Sequence, residues 1–234
     1  MLSESSDVTD RAQPRQLALT LPHAESFARD DFLEGAGNKA ALALVEAWPD
    51  WPNPTVMLVG EAGAGKSHLA SIWAERSGAR AIAARNLAIE AVPDALATGA
   101  LVVEDIDPSI VDQPALFHLL NLAREDNASL LLTARTPPAG WTLQVKDLAS
   151  RLRAVPVVRL EPPDDQLLRA LIVKFCADRQ LVVDESVVSY LLPRIERSFV
   201  AARRAVERLD AEALRRGRPI TRTLAVEVLR DGEG

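Results

Sequence analysis

Residues 60–67 read GEAGAGKS, from Gly60 to Ser67, and fit the pattern G-x-x-x-x-G-K-[S/T]. An apolar run at residues 56–59 precedes them, and a stretch of helical composition begins at Lys66. Glycines let backbone N–H groups converge on phosphate oxygens without Cβ clashes, and a helix N-terminus adds its positive dipole end. The segment is therefore predicted to be a phosphate-binding P-loop between a strand and a helix.

The lysine, the serine and three glycines of this loop have predicted roles. Lys66 is expected to reach the β and γ phosphates of a nucleotide, and Ser67 to ligand Mg²⁺. Gly60, Gly63 and Gly65 are expected to shape the phosphate cradle. The alternative interpretation, a glycine-rich turn with a lysine that is there by accident, is disfavoured because the full motif lies between a predicted strand and a predicted helix.

Acidic and hydroxyl side chains end two later apolar runs. Residues 101–105 read LVVED, a pattern typical of Walker B, in which Glu104 is predicted to hold Mg²⁺ through water and Asp105 to orient the attacking water. The first acid of this pattern is normally Asp. Thr133 ends the next apolar run and is predicted to contact the γ-phosphate or the lytic water. A buried strand with an exposed acidic end is the alternative to the Walker B interpretation.

Apolar runs and helical segments alternate along the chain. Strands are predicted at residues 56–59, 81–84, 101–103, 130–133 and 155–160, with helices at 66–77 and 113–126 between them. This alternation predicts an α/β fold with a parallel sheet. After Pro162-Pro163 the pattern becomes helical, with Asp164, Asp184, Ser198 and Thr221 as candidate caps. The predicted organisation is a tail at 1–24, a nucleotide-binding domain at 25–161 and an all-α lid at 162–234.

Composition narrows the class of protein. Among 234 residues, 48% are hydrophobic and 26% charged, as in globular proteins, and one cysteine excludes a disulfide framework or a cysteine zinc cluster. The 27 basic and 33 acidic residues give a net charge of −6, which speaks against DNA as the main ligand. No apolar run approaches the roughly 20 residues that span a membrane, and residues 1–10 lack the basic and apolar regions of a signal peptide. A cytoplasmic location without membrane association is expected.

The order of the motifs is that of one ATPase class. Lys66, Glu104, Asp105 and Thr133 fall at successive strand ends and are followed by a helical domain, which is the pattern of AAA+ ATPases. Such proteins bind nucleotide between core and lid and often complete the site with an arginine from a neighbouring subunit. The predicted fold is an AAA+ P-loop core with a small all-α lid.

Five short stretches of sequence resemble segments of one family of AAA+ proteins. GEAGAGKSHLA at residues 60–70 resembles the P-loop region of the initiator DnaA, and LLLTARTPPAGW (130–141), DLASRL (147–152) and LEPP (160–163) are similar to its sensor 1, box VII and lid-entry stretch. QLALTL at residues 16–21 matches the clamp-binding peptide of the Hda family, DnaA-like regulators that inactivate DnaA. The resemblance covers about residues 16–230.

The resemblance implies further site residues. His68, Phe32 and Leu33 would contact the nucleotide, which is ADP or ATP, with the two apolar residues on the adenine side. Arg151, expected just after an amphipathic helix, would be the arginine finger, and Arg153 is its nearby competitor. The lid arginine called sensor 2 is a departure, because Val200 stands at its place. Arg197, one turn earlier, is the candidate substitute, and two later arginines follow at 203 and 204.

The implied function is negative regulation of replication initiation. The chain would bind adenine nucleotide with Mg²⁺, dock on the β sliding clamp of DNA polymerase III and stimulate hydrolysis of ATP bound to DnaA. The clamp contacts would come from Gln16, Leu17, Leu19 and Leu21. DNA would be met only indirectly, through the clamp, and a homodimer or homo-oligomer is possible.

Other interpretations stay open at this point. The segment at residues 16–21 could instead pack against its own domain. The chain could be a DNA-dependent helper or helicase-loader-type ATPase, or an adaptor that binds nucleotide without hydrolysing it. Whether ATP is turned over by the chain itself is left open by the sequence, although weak turnover is expected.

Overall fold

A five-stranded parallel sheet forms the centre of the first domain in the computed structural model, which describes residues 27–230. The sheet order is β2-β3-β4-β1-β5. The strands are β1 (Thr55–Val59), β2 (Arg80–Ala83), β3 (Ala100–Ile106), β4 (Ser129–Ala134) and β5 (Val157–Arg159). The predicted parallel α/β sheet is confirmed. The central strands β1 and β4 are almost entirely buried and mostly apolar, because both faces of the sheet are covered.

Helices cover the two faces of this sheet. They are α1 (Lys39–Glu46), α2 (Lys66–Ser77), α3 (Val92–Ala95), α4 (Gln113–Glu125) and α5 (Lys146–Ala154). One face packs on α1 and α2 around the fully buried Trp73, and the other on α4 and α5 through Leu116, Leu119 and Leu148. The helix predicted at residues 66–77 has those bounds.

Helix α5 corrects one detail of the sequence interpretation. Arg151 was expected to follow an amphipathic helix, but it lies inside α5, between the buried Leu148 and Leu152. Both leucines fall on the face that packs against the core, so Arg151 is held on a rigid element and not on a loop.

Four helices form the second domain. They are α6 (Asp165–Asp178), α7 (Glu185–Leu191), α8 (Phe199–Arg216) and α9 (Arg222–Arg230), and they share an apolar core. The side chains of Asp164, Ser198 and Thr221 accept backbone N–H groups at the starts of α6, α8 and α9. Asp184 occupies the N-cap position of α7, as predicted, but its side chain makes no capping hydrogen bond.

Residues 1–26 and 231–234 lie outside the described part of the chain. The predicted clamp peptide at 16–21 is therefore among the residues of which the structure gives no account. Within residues 27–230, no helix is both long enough and apolar enough to cross a membrane.

Candidate nucleotide-binding site

The predicted P-loop joins the end of β1 to the start of α2. Gly63 and Gly65 have φ angles of +74° and +96°, which side-chain-bearing residues rarely adopt. A Cβ on Gly60 would lie 2.6 Å from the carbonyl oxygen of Leu160, just beyond β5. The three predicted glycines are thus required by backbone conformation at two positions and by close packing at the third.

Lys66 is folded into the loop. Its side-chain Nζ donates hydrogen bonds to the carbonyl oxygens of Gly60, at 2.7 Å, and Glu61, at 2.9 Å. The residue is only 6% exposed, and burial lowers the pKa of its ammonium group, with the nearby Asp105 carboxylate opposing that shift. An ammonium group in this position is an electrostatic anchor for an anion held by the loop.

The hydroxyl of Ser67 meets the first acid of the Walker B pattern. Its Oγ donates a hydrogen bond of 2.7 Å to Oε2 of Glu104. Hydroxyl and carboxylate oxygens are the hard ligands that Mg²⁺ prefers, and Mg²⁺ takes few protein ligands because it keeps water and phosphate in its shell. The pair fits the predicted metal site, so the longer side chain of Glu104 does reach the loop.

Strand β3 is irregular where its acids lie. In the pairing with β4, Val103 aligns with Leu132 but Ile106 aligns with Ala134, so β3 carries one extra residue, a β-bulge. Asp105 sits in the bulge with a φ angle of +55°. Its N–H donates a 2.9 Å hydrogen bond to the hydroxyl of Thr133. The bulge turns Asp105 out into solvent, and Thr133 supplies the acceptor that its N–H needs.

This contact gives the first prediction. In Thr133→Val the side chain keeps its shape but loses the acceptor, so the free energy of unfolding should fall by about 1–3 kcal/mol. Hydrogen exchange at the Asp105 amide should also accelerate. Urea denaturation and exchange measured by NMR test both expectations. Thr55→Val is the matched control, because the Thr55 hydroxyl makes no described hydrogen bond. Equal exchange rates in both variants would contradict the assigned role of Thr133.

An aromatic cluster lies beside Gly65. The Phe32 ring, 3% exposed, stacks on Phe199 with centroids 6.5 Å apart, and meets the His68 ring edge-on at 5.2 Å. A Cβ on Gly65 would lie 3.6 Å from Phe32 and 3.7 Å from Phe199. Phe32 and His68, both predicted site residues, are thus brought to the loop, whereas Leu33 packs against the lid core.

Phe199, at the start of α8, is a further residue at the loop that the sequence interpretation did not assign to the site. Its backbone N–H also donates to the carbonyl oxygen of Gly63 at 3.1 Å, so α8 begins directly on the P-loop. The usable signal was an aromatic residue directly after a capping serine, Ser198.

His68 holds the segment that precedes the core. Its Nε2 lies 2.9 Å from the carbonyl oxygen of Ala28, and its ring also meets Phe27 edge-on. Burial lowers the pKa of His68, which favours the neutral ring that donates to this carbonyl. One ring nitrogen is thereby already bonded within the protein, and a contact of His68 with nucleotide stays a prediction.

The lid residues that face the loop differ from the predicted one. Val200 Cγ2 lies 3.2 Å from where a Cβ on Gly63 would be, and Arg204 lines a groove together with Ala62 and Gly63. Arg197 instead pairs with Asp165 at 2.8 Å, and both side chains are mostly exposed. A contact of Arg197 with nucleotide remains a prediction that needs this ion pair to open.

Arg135 is a further cation that the sequence interpretation did not single out. It follows Thr133 by two residues and lines a cavity of about 760 Å³ with Glu104 and Asp105. Its charge also lowers the pKa of Lys66. The available signal was its position just after a sensor-type threonine.

Arg151 has no described contact with the loop residues. Its guanidinium carbon is 5.3 Å from the ring centroid of Phe117 on α4, a cation–π contact, and no carboxylate within residues 27–230 forms an ion pair with it. Arg153, two residues later, is exposed. The described contacts of Arg151 are therefore with the α4–α5 side of the core.

Comparison with known structures establishes the fold. No protein-family model matches the sequence. The chain is similar to domain III of the Thermotoga maritima replication initiation protein DnaA, with a TM-score of 0.73 and 19% identity over 88% of this chain and 96% of that one. For AMPPCP-bound DnaA from Aquifex aeolicus the TM-score is 0.65 and the sequence identity 20%, over 81% of this chain and 66% of that one. For the Thermotoga maritima RuvB Holliday junction branch migration motor the TM-score is 0.68 and the sequence identity 17%, over 88% of this chain and 72% of that one. The predicted AAA+ P-loop fold is confirmed.

Proposed function

We propose that this chain is a nucleotide-binding regulator that stimulates hydrolysis of ATP bound to DnaA and so restrains replication initiation. One observation carries the proposal: an intact phosphate site coexists with an arginine, Arg151, that has no described contact with it. In AAA+ assemblies an arginine of one subunit acts on the nucleotide of its neighbour. A chain that offers such an arginine can activate a partner without itself being the main catalyst.

Adenine nucleotide with Mg²⁺ is the proposed ligand of the P-loop. Lys66 supplies the charge for the phosphates, and Ser67 and Glu104 supply oxygen ligands for the metal. The likeness to a DnaA bound to AMPPCP, an ATP analogue, supports this choice of nucleotide. Asp105 and Thr133 are available to orient a water, so slow hydrolysis by the chain itself is compatible with the site.

DnaA is the proposed partner because of the shared fold. Head-to-tail packing of AAA+ domains places one subunit's arginine beside the next subunit's nucleotide, and a chain with the fold of DnaA domain III can take the place of a neighbour. The proposal places this event in the cytoplasm, on a sliding clamp.

The clamp peptide rests on the sequence alone. Replacing Gln16, Leu19 and Leu21 with alanine should abolish clamp binding, since truncating an apolar anchor in a pocket commonly costs about 2 kcal/mol or more. Surface plasmon resonance on immobilised clamp measures this, and thermal unfolding checks that the domain is intact. Leu17→Ala alone gives a milder comparison. An unchanged affinity for the clamp would contradict the proposal and indicate that the segment packs against its own domain instead.

One reconstitution tests the whole proposal. ATP-loaded DnaA, clamp on DNA and this chain are combined, and hydrolysis is followed against mixtures that lack each component. Stimulation that needs all of them supports the regulator. Turnover by this chain with DNA but without DnaA would instead support a helper ATPase, which the likeness to the RuvB motor favours as the second candidate. Bound nucleotide without either effect would indicate a non-hydrolysing adaptor.

A further inference from the structure

A groove on the lid is lined by arginines. It lies where α7, α8 and α9 meet the P-loop, has a volume of about 910 Å³ and includes Ala62 and Gly63 in its wall. Its charged residues are four arginines and one glutamate: Arg194, Arg204, Arg208, Arg230 and Glu196. We call it the arginine groove. In a chain with a net charge of −6, it is a local excess of positive charge.

The four guanidinium groups are not used in ion pairs within the described residues. All four residues are exposed, and none has a carboxylate within ion-pair distance in the part of the chain from 27 to 230. Arg194 and Arg208 donate only to backbone carbonyls, those of Tyr190 and Val228. By contrast, Arg179, Arg197 and Arg216 on the same lid each pair with an acid.

The arrangement is unfavourable for the isolated lid. Arg204 and Arg208 are four residues apart on α8, so two like charges share one helix face, which destabilises a helix. Cationic side chains that repel each other and have no acidic partner contribute little to the stability of the fold. A bound anion would remove this repulsion, so such a cluster is typical of an anion-binding site. The groove shares Ala62 and Gly63 with the P-loop, but its volume of about 910 Å³ is much larger than the phosphate groups of one nucleotide require.

Planar groups beside the charges indicate which anion fits. The guanidinium of Arg194 lies 4.0 Å from the ring centroid of Tyr190, and that of Arg222 lies 5.7 Å from it. Arginine and aromatic planes are the surfaces on which unpaired bases stack, while the guanidinium forks bind phosphate in bidentate fashion. An acidic peptide would use the charges but not the planes.

We propose that the arginine groove binds the sugar–phosphate backbone of a nucleic acid. This contact is direct, in addition to any DNA met through a clamp, and it does not depend on the partners proposed above. Binding should be independent of sequence and should weaken steeply with salt, because each phosphate that is neutralised releases counterions.

Fluorescence anisotropy with the full chain tests the groove. The probes are a labelled thymidine strand and a labelled duplex, titrated at several salt concentrations. Arg204→Glu combined with Arg230→Glu should weaken binding by about tenfold or more at low salt, and should reduce the salt slope by about 1.4 for the strand or 1.8 for the duplex. Neither side chain has a described partner, so thermal unfolding should change little. If the glutamate variant misfolds, the neutral variant Arg204→Gln with Arg230→Gln replaces it. It should also weaken nucleic-acid binding, but by a smaller factor.

The control and the competitor decide the outcome. Arg124→Glu with Arg218→Glu changes the net charge equally, but both residues are exposed outside the groove. Wild-type binding to strand or duplex, lost in the groove variant and kept in the control, supports the proposal, and the preferred probe identifies the form of nucleic acid. No binding of either probe, equal loss in both variants, or equal competition by polyglutamate at matched charge would overturn it.

Discussion

Replacing Arg151 with alanine is expected to lower the stimulated rate of ATP hydrolysis on DnaA by a factor of about 10³–10⁵. The reason is that an arginine acting on a neighbour's nucleotide stabilises charge in the transition state and contributes little to ground-state binding. The chain's own affinity for nucleotide and clamp should therefore be retained. Loss of the contact with Phe117 should cost about 0.5–1 kcal/mol of stability, since the pair is partly exposed.

Single-turnover hydrolysis on ATP-loaded DnaA, with clamp on DNA, is the measurement. Arg153→Ala is the matched control, because it removes the same side chain two residues further along α5. If Arg151→Ala still stimulates hydrolysis and Arg153→Ala does not, Arg153 and not Arg151 is the arginine that acts on the nucleotide of DnaA. A variant of Arg151 that loses its own nucleotide would show that the arginine acts within its own chain, and the regulator hypothesis would then fail.

Lys66→Ala should remove nucleotide binding from the chain. The substitution deletes the buried ammonium group of the loop, and hydrogen bonds to charged groups contribute about 1.5–3 kcal/mol each. With two or more phosphate oxygens contacted, the affinity should fall by at least about a hundredfold. Isothermal titration with ADP and with ATP in the presence of Mg²⁺ measures the loss directly.

A lysine elsewhere on the core provides the control for this variant. Lys39, at the start of α1, has a mostly exposed side chain and pairs with Glu34 at 3.7 Å. Lys39→Ala should bind nucleotide as the wild type does. Because Lys66 also donates to two loop carbonyls, thermal unfolding of both variants separates a loss of ligand from a loss of fold. Wild-type affinity in Lys66→Ala would refute the assignment of the P-loop.

The bounds of individual elements were largely predictable because their signals are local. The glycines of residues 60–65 and the apolar run before them define the turn from β1 into α2, and Gly78 ends that helix with a φ of +68°. Capping by Asp164 and Ser198 depends on residues three positions apart, which a sequence displays directly. The bulge at Asp105 was not predictable, because it depends on the pairing of β3 with β4.

The amino-acid sequence alone determined three features of this chain. They are the P-loop, the pair of acidic residues at the end of an apolar strand, and the helical second domain. Only the tertiary structure decided which lid residues meet the loop. Val200 and Arg204 are four positions apart on one face of α8, and docking of that face on Gly63 brings both beside the P-loop. Arg197 lies before the cap of the same helix and points to Asp165 instead. The rotation of α8 about its axis selects which of its residues face the loop, because each residue turns the helix by about 100°. Arg197 precedes this helix, and the extended backbone of the cap residue separates it from the helical face that meets the loop.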